Sequence, residues 1–258
     1  MKKAVILFNL GGPDKLESVE PFLFNLFNDP AIISIPSIIR YPLAKIISKR
    51  RTPIAKDIYK EIGNRSPILE LTQKQSESLE NNLKKKGDYK CFVVMRCWHP
   101  RASEVIKLVK EYVNLGGSFL MVGGYLSFQG INGTARFKKT PIEEILPVEI
   151  LPYDDRIEIP EGFNVKIDKE ENQILKGLSG KWPPLLGFNE VIPKKDSLTI
   201  ISTPESVGAH PLLVTGVYGE GKTMAWTSDI GPHWVSKEFL DWKGYKELWN
   251  NIFHWLTV

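Results

Sequence analysis

The chain has 258 residues, of which 42% are hydrophobic and 25% are charged, and its formal net charge is +4. These proportions are typical of a globular protein, and the apolar stretches are too short for bilayer-spanning helices, so a disordered, fibrous or multi-span membrane protein is excluded. The charge is uneven: residues 1–100 carry 17 basic and 10 acidic side chains, a net +7, whereas residues 101–258 carry 17 and 20, a net −3. This asymmetry indicates either a surface partner for the first part or two segments of different origin.

The amino terminus and the cysteines both indicate a reducing, intracellular location. Met1 leads directly into an apolar run without a small-residue cleavage site, so we expect a cytoplasmic protein, with peripheral membrane attachment as the alternative. Cys91 and Cys97 lie in a strand-like run at a spacing that is too long for a disulfide, and we expect both to be reduced and buried.

The first half of the chain alternates between strands and helices. Continuous apolar runs predict buried strands over 3–10, 89–95 and 118–122. Helical spacing predicts helices between them, and the predicted helices cover residues 14–27, 54–62, 72–86 and 102–115. Pro36 and Pro42 predict that the Ile-rich segment 31–51 is broken into short pieces.

This order of elements predicts an α/β fold with a doubly wound, mainly parallel sheet of the flavodoxin-like or Rossmann-like three-layer type. We expect the three strands of the first half to lie in one sheet. Beyond residue 123 the chain has short strands that predict added antiparallel pairs, and a final helix over 244–256. The short strands are expected at 147–151, 157–159, 197–203, 212–218 and 223–228.

Two motifs of the second half are candidates for chemistry. Gly216 to Thr223 fits the G-x-x-x-x-G-K-T phosphate-loop pattern, but a strand-like run follows it, so we interpret it as a hairpin turn. Asp229 and His233 follow the last predicted strand, where α/β folds present side chains to ligands, and we take them as the candidate catalytic pair. Packing roles are the alternative, and two ligands make a poor metal site, so no metal site is predicted.

The segment from Ile33 to Arg51 is both apolar and basic. It is consistent with a lip that touches an anionic membrane surface, or with an ordinary helix whose cations extend along its sides. Nucleic acid is not expected as a partner, because isoleucine and proline rather than stacking aromatics separate the basic residues.

Four stretches of the first hundred residues closely resemble the beginning of ferrochelatases, which insert ferrous iron into protoporphyrin; they are residues 7–14, 21–30, 59–67 and 95–100. The resemblance implies a porphyrin cleft in this part of the chain, and it implies protoporphyrin and ferrous iron as the ligands. It implies that this cleft is lined by Asn9, Gly11, Ser66, Arg96 and Trp98. In ferrochelatases the essential His comes later in the chain, in a His-Gly context, and its Glu partner comes later still. None of the four histidines here precedes a Gly.

From about residue 102 the sequence instead resembles an uncharacterised family of class I glutamine-amidotransferase-like proteins. The resemblance is carried by residues 111–130, 140–147, 182–187 and 227–234. A glutaminase needs a Cys nucleophile at a strand-to-helix elbow and a His base. The elbow-like turn is Gly123-Gly124-Tyr125, which has no Cys, and His233 is the nearest counterpart of the base.

The two resemblances divide the chain into a ferrochelatase-like segment, 1–101, and an amidotransferase-like segment, 102–258. Because neither family's reactive residues are present, we expect a small-molecule or tetrapyrrole binding protein with incomplete catalytic machinery. The alternatives are a ferrochelatase, or an uncharacterised enzyme that uses Asp229 and His233. The oligomeric state is left open.

Overall fold

A computed structural model describes residues 2–30, 32–85 and 87–258 of the chain. It contains two compact units, Lys2–Leu108 and Val109–Val258. Both units combine helices with strands, and parallel strand pairs occur together with antiparallel ones. The predicted α/β class, with added antiparallel strands in the second half, is confirmed.

The N-terminal unit is built on one parallel strand pair. In chain order its elements are β1 (Lys2–Asn9), α1 (Val19–Phe27), α2 (Ser37–Glu61), α3 (Ile68–Lys84) and β2 (Asp88–Met95). Strands β1 and β2 pair in register over their whole length, so that Asn9 lies opposite Met95 at their carboxyl ends. The three helices form the crossover that a parallel pair requires.

Helix α2 differs from the sequence prediction. It runs without a break through Pro42 and Pro53, whereas the sequence predicted short pieces. Its buried face consists of Ala44, Ser48 and Thr52, spaced four residues apart, and these small side chains allow α1 to pack closely against it. Packing between α1 and α2 offsets the free-energy cost of the interior prolines. Local sequence patterns do not record this packing.

Helix α4 (Ala102–Asn114) follows β2, as predicted. Cys91 and Cys97 are both free and buried, as the sequence predicted. Within the described residues, no helix combines the length and the apolar character that crossing a membrane requires.

The C-terminal unit contains most of the strands. In chain order its elements are β3 (Phe119–Val122), α5 (Pro141–Ile145), β4 (Val148–Ile150), β5 (Arg156–Phe163), β6 (Lys166–Ile167), β7 (Leu185–Asn189), β8 (Val191–Pro193), β9 (Leu198–Ser202), β10 (Pro211–Tyr218), β11 (Gly221–Trp226), α6 (Lys237–Asp241) and α7 (Lys243–Thr257). Five of the strands form one sheet in the order β3-β11-β10-β9-β6, and β4–β8 and β5–β7 are separate antiparallel pairs.

The expectation that the first three strands share one sheet is wrong. Strand β3 pairs in parallel with β11, from Phe119 opposite Thr223 to Val122 opposite Trp226, while β1 and β2 pair with each other. Local sequence predicted each strand but not its partner, because β3 meets a strand that lies a hundred positions later in the chain.

The phosphate-loop pattern is a hairpin, as predicted. Tyr218 lies opposite Gly221 in the antiparallel β10–β11 pair, so the connection is a two-residue turn, and β11 rather than a helix follows it. Gly219 in this turn has φ +59°, a conformation that glycine adopts without strain. A phosphate loop binds its phosphate at the N-terminus of the helix that follows the loop. Here a strand follows the turn, so this binding site is not formed.

The core of the C-terminal unit lies around the five-stranded sheet. Its largest buried side chains include Phe188 and Phe239, together with Trp226 from β11. The final helix contributes Leu248, Ile252 and Leu256, which recur at helical spacing and are buried.

Candidate functional site

The residues assigned to a porphyrin cleft lie near the carboxyl ends of β1 and β2. Asn9 ends β1, and its backbone carbonyl accepts a hydrogen bond of 2.9 Å from the backbone N–H of Arg96, directly after β2. The Asn9 side chain donates to Thr72 Oγ1 on α3 at 3.0 Å. Asn9 is therefore fixed by both the strand pair and the helix that covers it.

The segment that follows β1 brings Gly11 close to β2 and Gly12 close to Ser66. Gly11 has φ +87°, and a Cβ added there would lie 3.1 Å from Met95 Cβ and 3.2 Å from Trp98 Cβ. At the next position, Gly12, an added Cβ would lie only 2.4 Å from Ser66 Cβ. The two glycines therefore allow the chain after β1 to pass closely between β2 and the segment that precedes α3.

Arg96 is held by an acid that the sequence analysis did not single out. Its Nε and Nη2 donate to the two carboxylate oxygens of Asp29 at 2.5 and 3.0 Å, and this pairing raises the pKa of Arg96. The Arg96 side chain is still 57% exposed, whereas Asp29 is 12% exposed. Asp29 lies in one of the four ferrochelatase-like stretches, but its partner is 67 positions away, a pairing that no local pattern reveals.

Trp98 connects this end of the sheet to the small core of the N-terminal unit. Its ring packs edge-to-face on Phe22, with 6.5 Å between ring centroids, and its Nε1 donates to Asp14 Oδ1 at 3.1 Å. A hydrogen bond with Ser18 and, to a smaller extent, the one from Trp98 lower the pKa of Asp14. The five residues that the resemblance assigns to a cleft thus lie around the segment that follows β1, and Asp14, Asp29 and Thr72 support them.

The histidine of this region has a local partner. His99 Nδ1 lies 2.7 Å from Glu104 Oε1 in the first turn of α4, and both side chains are about half exposed. Among residues 2–30, 32–85 and 87–258, no group of three or more His, Cys, Asp or Glu side chains has an arrangement that could hold a metal ion.

The second candidate region follows β3 in the C-terminal unit. A Cβ on Gly123 would lie 1.9 Å from the Thr227 carbonyl oxygen, so only glycine fits between the ends of β3 and β11. Gly124 donates its backbone N–H to Asn189 Oδ1 at 2.8 Å. The turn at Gly123, Gly124 and Tyr125 leads into a loop with a short 3-10 turn at Ile131–Gly133, so in the described residues it is not the strand-to-helix elbow that a glutaminase requires.

A buried carboxylate organises this loop, and sequence analysis missed it. Asp155 is 1% exposed and accepts hydrogen bonds from the backbone N–H groups of Gln129 and Gly130 at 2.7 and 2.9 Å, and from Asn189 Nδ2 at 2.8 Å. Burial raises the pKa of Asp155, and these three hydrogen bonds act in the opposite direction. Asp155 and Asn189 together hold the loop at both ends.

Asp229 and His233, the predicted catalytic pair, do lie side by side. Asp229 accepts from the backbone N–H groups of Trp234 and Val235 at 2.9 and 3.0 Å, and its Oδ2 lies 3.5 Å from His233 Nδ1. Asp229 is 15% exposed, whereas His233 is 50% exposed. The backbone therefore fixes the carboxylate, and the imidazole packs beside it with one side in solvent.

Two more side chains complete this region. Tyr125 donates its hydroxyl to Glu158 Oε1 on β5 at 2.5 Å, which lowers the pKa of Glu158 and raises that of Tyr125. The Tyr125 ring meets the His233 ring edge-on at 4.6 Å between centroids, and Arg156 lies over it at 4.5 Å. Glu158 lies two positions after Arg156 on β5, on the same face of the strand. No sequence motif distinguishes it from the other exposed acids of the chain.

Comparison with known proteins identifies the larger part of the chain. The sequence profile of the family described as "Putative glutamine amidotransferase" matches residues 90–258, about two thirds of the chain. The chain belongs to this family. The matched range contains all of β3 to β11 and therefore the whole region around Tyr125, Glu158 and His233.

Two solved structures are similar to this amidotransferase-like protein. The cytoplasmic proteins STM3548 and STM1381 from Salmonella typhimurium are 38% and 40% identical to it, each with a TM-score of 0.56. Both comparisons cover 59% of this chain and 60% of the other chain. The part that is shared is therefore well below the full length of either Salmonella protein.

A second profile, ferrochelatase, matches residues 2–114. The ferrochelatase of Pelagibacter ubique is 67% identical over 115 residues, which are 43% of this chain and 33% of that enzyme. The ferrochelatase of Wolbachia sp. subsp. Drosophila simulans is 54% identical over 114 residues, 36% of its length. The chain thus spans about a third of the curated relatives that it matches.

The predicted order of a ferrochelatase-like segment before an amidotransferase-like segment is confirmed. The two profiles overlap over residues 90–114, which form most of β2 and all of α4. A strand followed by a helix is a unit that both α/β families contain, so this stretch fits both patterns.

Proposed function

We propose that this protein binds a protoporphyrin-like tetrapyrrole through its N-terminal unit and does not itself insert iron. One observation supports the proposal: the five residues that resemblance assigns to a porphyrin cleft lie around the segment that follows β1, at the carboxyl ends of β1 and β2. In α/β folds this end of the strands is where ligands bind.

The chemistry of the turn suits a flat, carboxylate-bearing macrocycle. Arg96 uses Nε and Nη2 for Asp29, and its Nη1 has no partner among the described residues, so it can bind a propionate carboxylate. Trp98 is half-buried and offers part of its indole surface for stacking. Asn9 and Ser66 add neutral polar groups beside these two.

The absence of metal insertion is proposed on chemical grounds. Metal insertion needs a base that removes the pyrrole protons and groups that deliver the iron. None of the four histidines has the His-Gly context of the ferrochelatase base. The tetrapyrrole would accordingly be bound and released without chemical change.

For the C-terminal unit we propose an amidotransferase-like scaffold without glutaminase activity. Tyr125 stands at the turn where a nucleophile would be needed, and both cysteines of the chain belong to the N-terminal unit. Asp229 and His233 are then the polar pair that this scaffold retains. The alternative is an enzyme whose base is His233, which the fixed carboxylate of Asp229 favours.

A membrane contact is also proposed, through the segment from Ile33 to Arg51. On α2, Ile38, Ile39 and Ile46 are 83%, 56% and 52% exposed. Several basic side chains lie on the same helix, and apolar groups beside cations are the combination that binds an anionic bilayer surface. The protein would then be peripheral to the membrane from which an apolar macrocycle comes.

Titration with protoporphyrin IX tests the main proposal. Tryptophan fluorescence of the full chain should be quenched in a saturable way at micromolar ligand, and the change should be smaller in Trp98→Phe. Arg96→Gln should weaken binding about tenfold, since it removes a charge-assisted hydrogen bond of ~1.4 kcal/mol. Arg50→Gln, which alters an exposed arginine of α2, is the matched control and should bind as the unaltered chain does.

Three outcomes would contradict the proposal. The first is the absence of quenching at micromolar protoporphyrin, and the second is an equal loss of affinity in the Arg96 and Arg50 variants. The third is insertion of ferrous iron or zinc at an enzymatic rate. Release of ammonia from glutamine would separately overturn the assignment of the C-terminal unit, and its loss in His233→Ala would support the alternative enzyme.

A further inference from the structure

In the C-terminal unit, four ionisable side chains from three separate segments converge. Tyr125 follows β3, Glu158 lies on β5, and Asp229 and His233 follow β11. Glu158 Oε1 accepts from the Tyr125 hydroxyl at 2.5 Å and from Trp234 Nε1 at 3.2 Å. Two donors directed at one oxygen stabilise the ionised carboxylate, while Oε2 of the same group has no partner among the described residues.

His233 lies between the two carboxylates. Its Nδ1 is 3.5 Å from Asp229 Oδ2, and its Nε2 is 3.8 Å from Glu158 Oε1. Asp229 is fixed by two backbone N–H groups, so it favours the imidazole tautomer with a proton on Nδ1. In that tautomer Nε2 accepts hydrogen bonds, and it lies beside a second acceptor, Glu158.

The donors nearby are already used. Tyr125 and Trp234 both donate to Glu158, and Arg156 donates its Nε and Nη2 to Asp154 at 2.9 and 2.8 Å. Asp154 therefore takes two of the Arg156 donors, and among the described residues neither Glu158 nor Asp229 has a lysine or arginine within ion-pair distance. The exposed part of the cluster presents acceptors and negative charge, with His233 50% and Glu158 43% exposed.

We propose that Glu158 and His233 form a binding site for the ammonium group of a small primary amine. An ammonium nitrogen has three N–H donors. It would bind Glu158 Oε2, the oxygen without a partner among the described residues, and His233 Nε2, which lies 3.8 Å from Oε1 of the same carboxylate. Among the described residues, a ligand that only accepts hydrogen bonds finds no free donor at these two groups except the edge of Arg156. This site lies in the C-terminal unit and is independent of the tetrapyrrole proposal.

The experiment compares n-butylammonium with n-butanol, its neutral counterpart of similar shape, at constant pH and ionic strength. The probe signals are the imidazole resonances of His233 in the isotope-labelled full chain, assigned by their loss in His233→Gln. We expect n-butylammonium to shift these resonances with a saturable, millimolar dependence, and n-butanol to leave them in place. Equal saturable shifts with both compounds would overturn the proposal.

Two variants separate a ligand contact from a structural effect. Glu158→Gln keeps the shape and one acceptor but removes the charge, and it should weaken amine binding at least tenfold. Tyr125→Phe removes a donor from Glu158 and should leave binding as strong or make it stronger. Glu171→Gln, at an exposed acid of the same unit, is the control and should change affinity less than twofold.

Equal weakening in Glu158→Gln and Glu171→Gln would mean that only the overall charge attracts the amine. Weakening in Tyr125→Phe as large as in Glu158→Gln would assign the effect to loss of local structure. Either result would overturn the site. Amide spectra of each variant establish that it is folded like the unaltered chain.

Discussion

Asn189 and Asp155, 34 positions apart in the chain, are hydrogen-bonded in the interior of the C-terminal unit, with 2.8 Å between Asn189 Nδ2 and Asp155 Oδ1. Asn189 is fully buried and Asp155 nearly so. Through Asn189 Oδ1 the pair also holds the backbone N–H of Gly124, next to Tyr125. The position of the candidate-site loop therefore depends on two side chains that do not reach the solvent.

The first prediction concerns this buried pair. Asp155→Ala removes the acceptor of two backbone N–H groups and of Asn189, and each buried donor left without a partner costs about 1–3 kcal/mol. We expect the free energy of unfolding of the C-terminal unit to fall by ~3 kcal/mol or more in urea titrations. Asp196→Ala, at an exposed acid, is the control and should change it by less than ~0.5 kcal/mol.

A loss in Asp155→Ala no larger than in the control would show that the buried carboxylate does not hold the loop. Asp155→Asn keeps one acceptor oxygen and should fall between the two variants.

The second prediction compares two glycines of the same region. A Cβ at Gly123 would lie 1.9 Å from a backbone carbonyl oxygen, whereas a Cβ at Gly231 would meet nothing within 4 Å. Gly123→Ala should therefore move β3 away from the end of β11 and destabilise the unit by ~2 kcal/mol or more, and Gly231→Ala should be nearly neutral. Thermal unfolding of the two variants measures the difference, and equal midpoints would contradict the packing between the two strand ends.

The third prediction is a pH dependence. The Arg156 guanidinium, bonded to Asp154 through two nitrogens, holds the pKa of that carboxyl well below its usual range. A carboxyl whose pKa is lower in the folded state than in the unfolded chain stabilises the fold above the unfolded pKa, near pH 4, and loses this effect as the pH falls further. The unfolding free energy should thus decline below about pH 4, and less steeply in Asp154→Asn. Identical slopes for the two proteins would assign the decline to other groups.

The fourth prediction tests the membrane contact of α2. Replacement of Ile38 and Ile39 by Ser should weaken binding to vesicles that contain anionic lipid by tenfold or more, because burying an isoleucine side chain contributes about 2 kcal/mol. Binding of the unaltered chain should also weaken at higher salt. Ile192→Ser, at a half-exposed isoleucine of β8, should bind as the unaltered chain does. Sedimentation with vesicles measures all three, and no binding by the unaltered chain would end the proposal.

Some features of this protein were determined by local sequence alone. Apolar runs predicted β1, β2 and β3, and helical spacing predicted α4 and α7. Consecutive residues suffice for these predictions because buried positions recur at a period typical of each element. The same holds for the hairpin at Gly219, where the strand-like run after the turn ruled out a phosphate loop. The two family resemblances also depend only on short consecutive stretches.

Pairings between distant residues were decided by the tertiary structure. The partner of β3 is β11, Arg96 is held by Asp29, and Glu158 meets Tyr125 and Trp234, and no local pattern records any of these. The unbroken α2 belongs here as well, since close packing on α1 offsets its interior prolines. Sequence determines which residues are apolar and which are charged. The desolvation cost of burying Asp155 arises only in the folded chain, because only folding brings together the carboxylate and the donors that offset this cost.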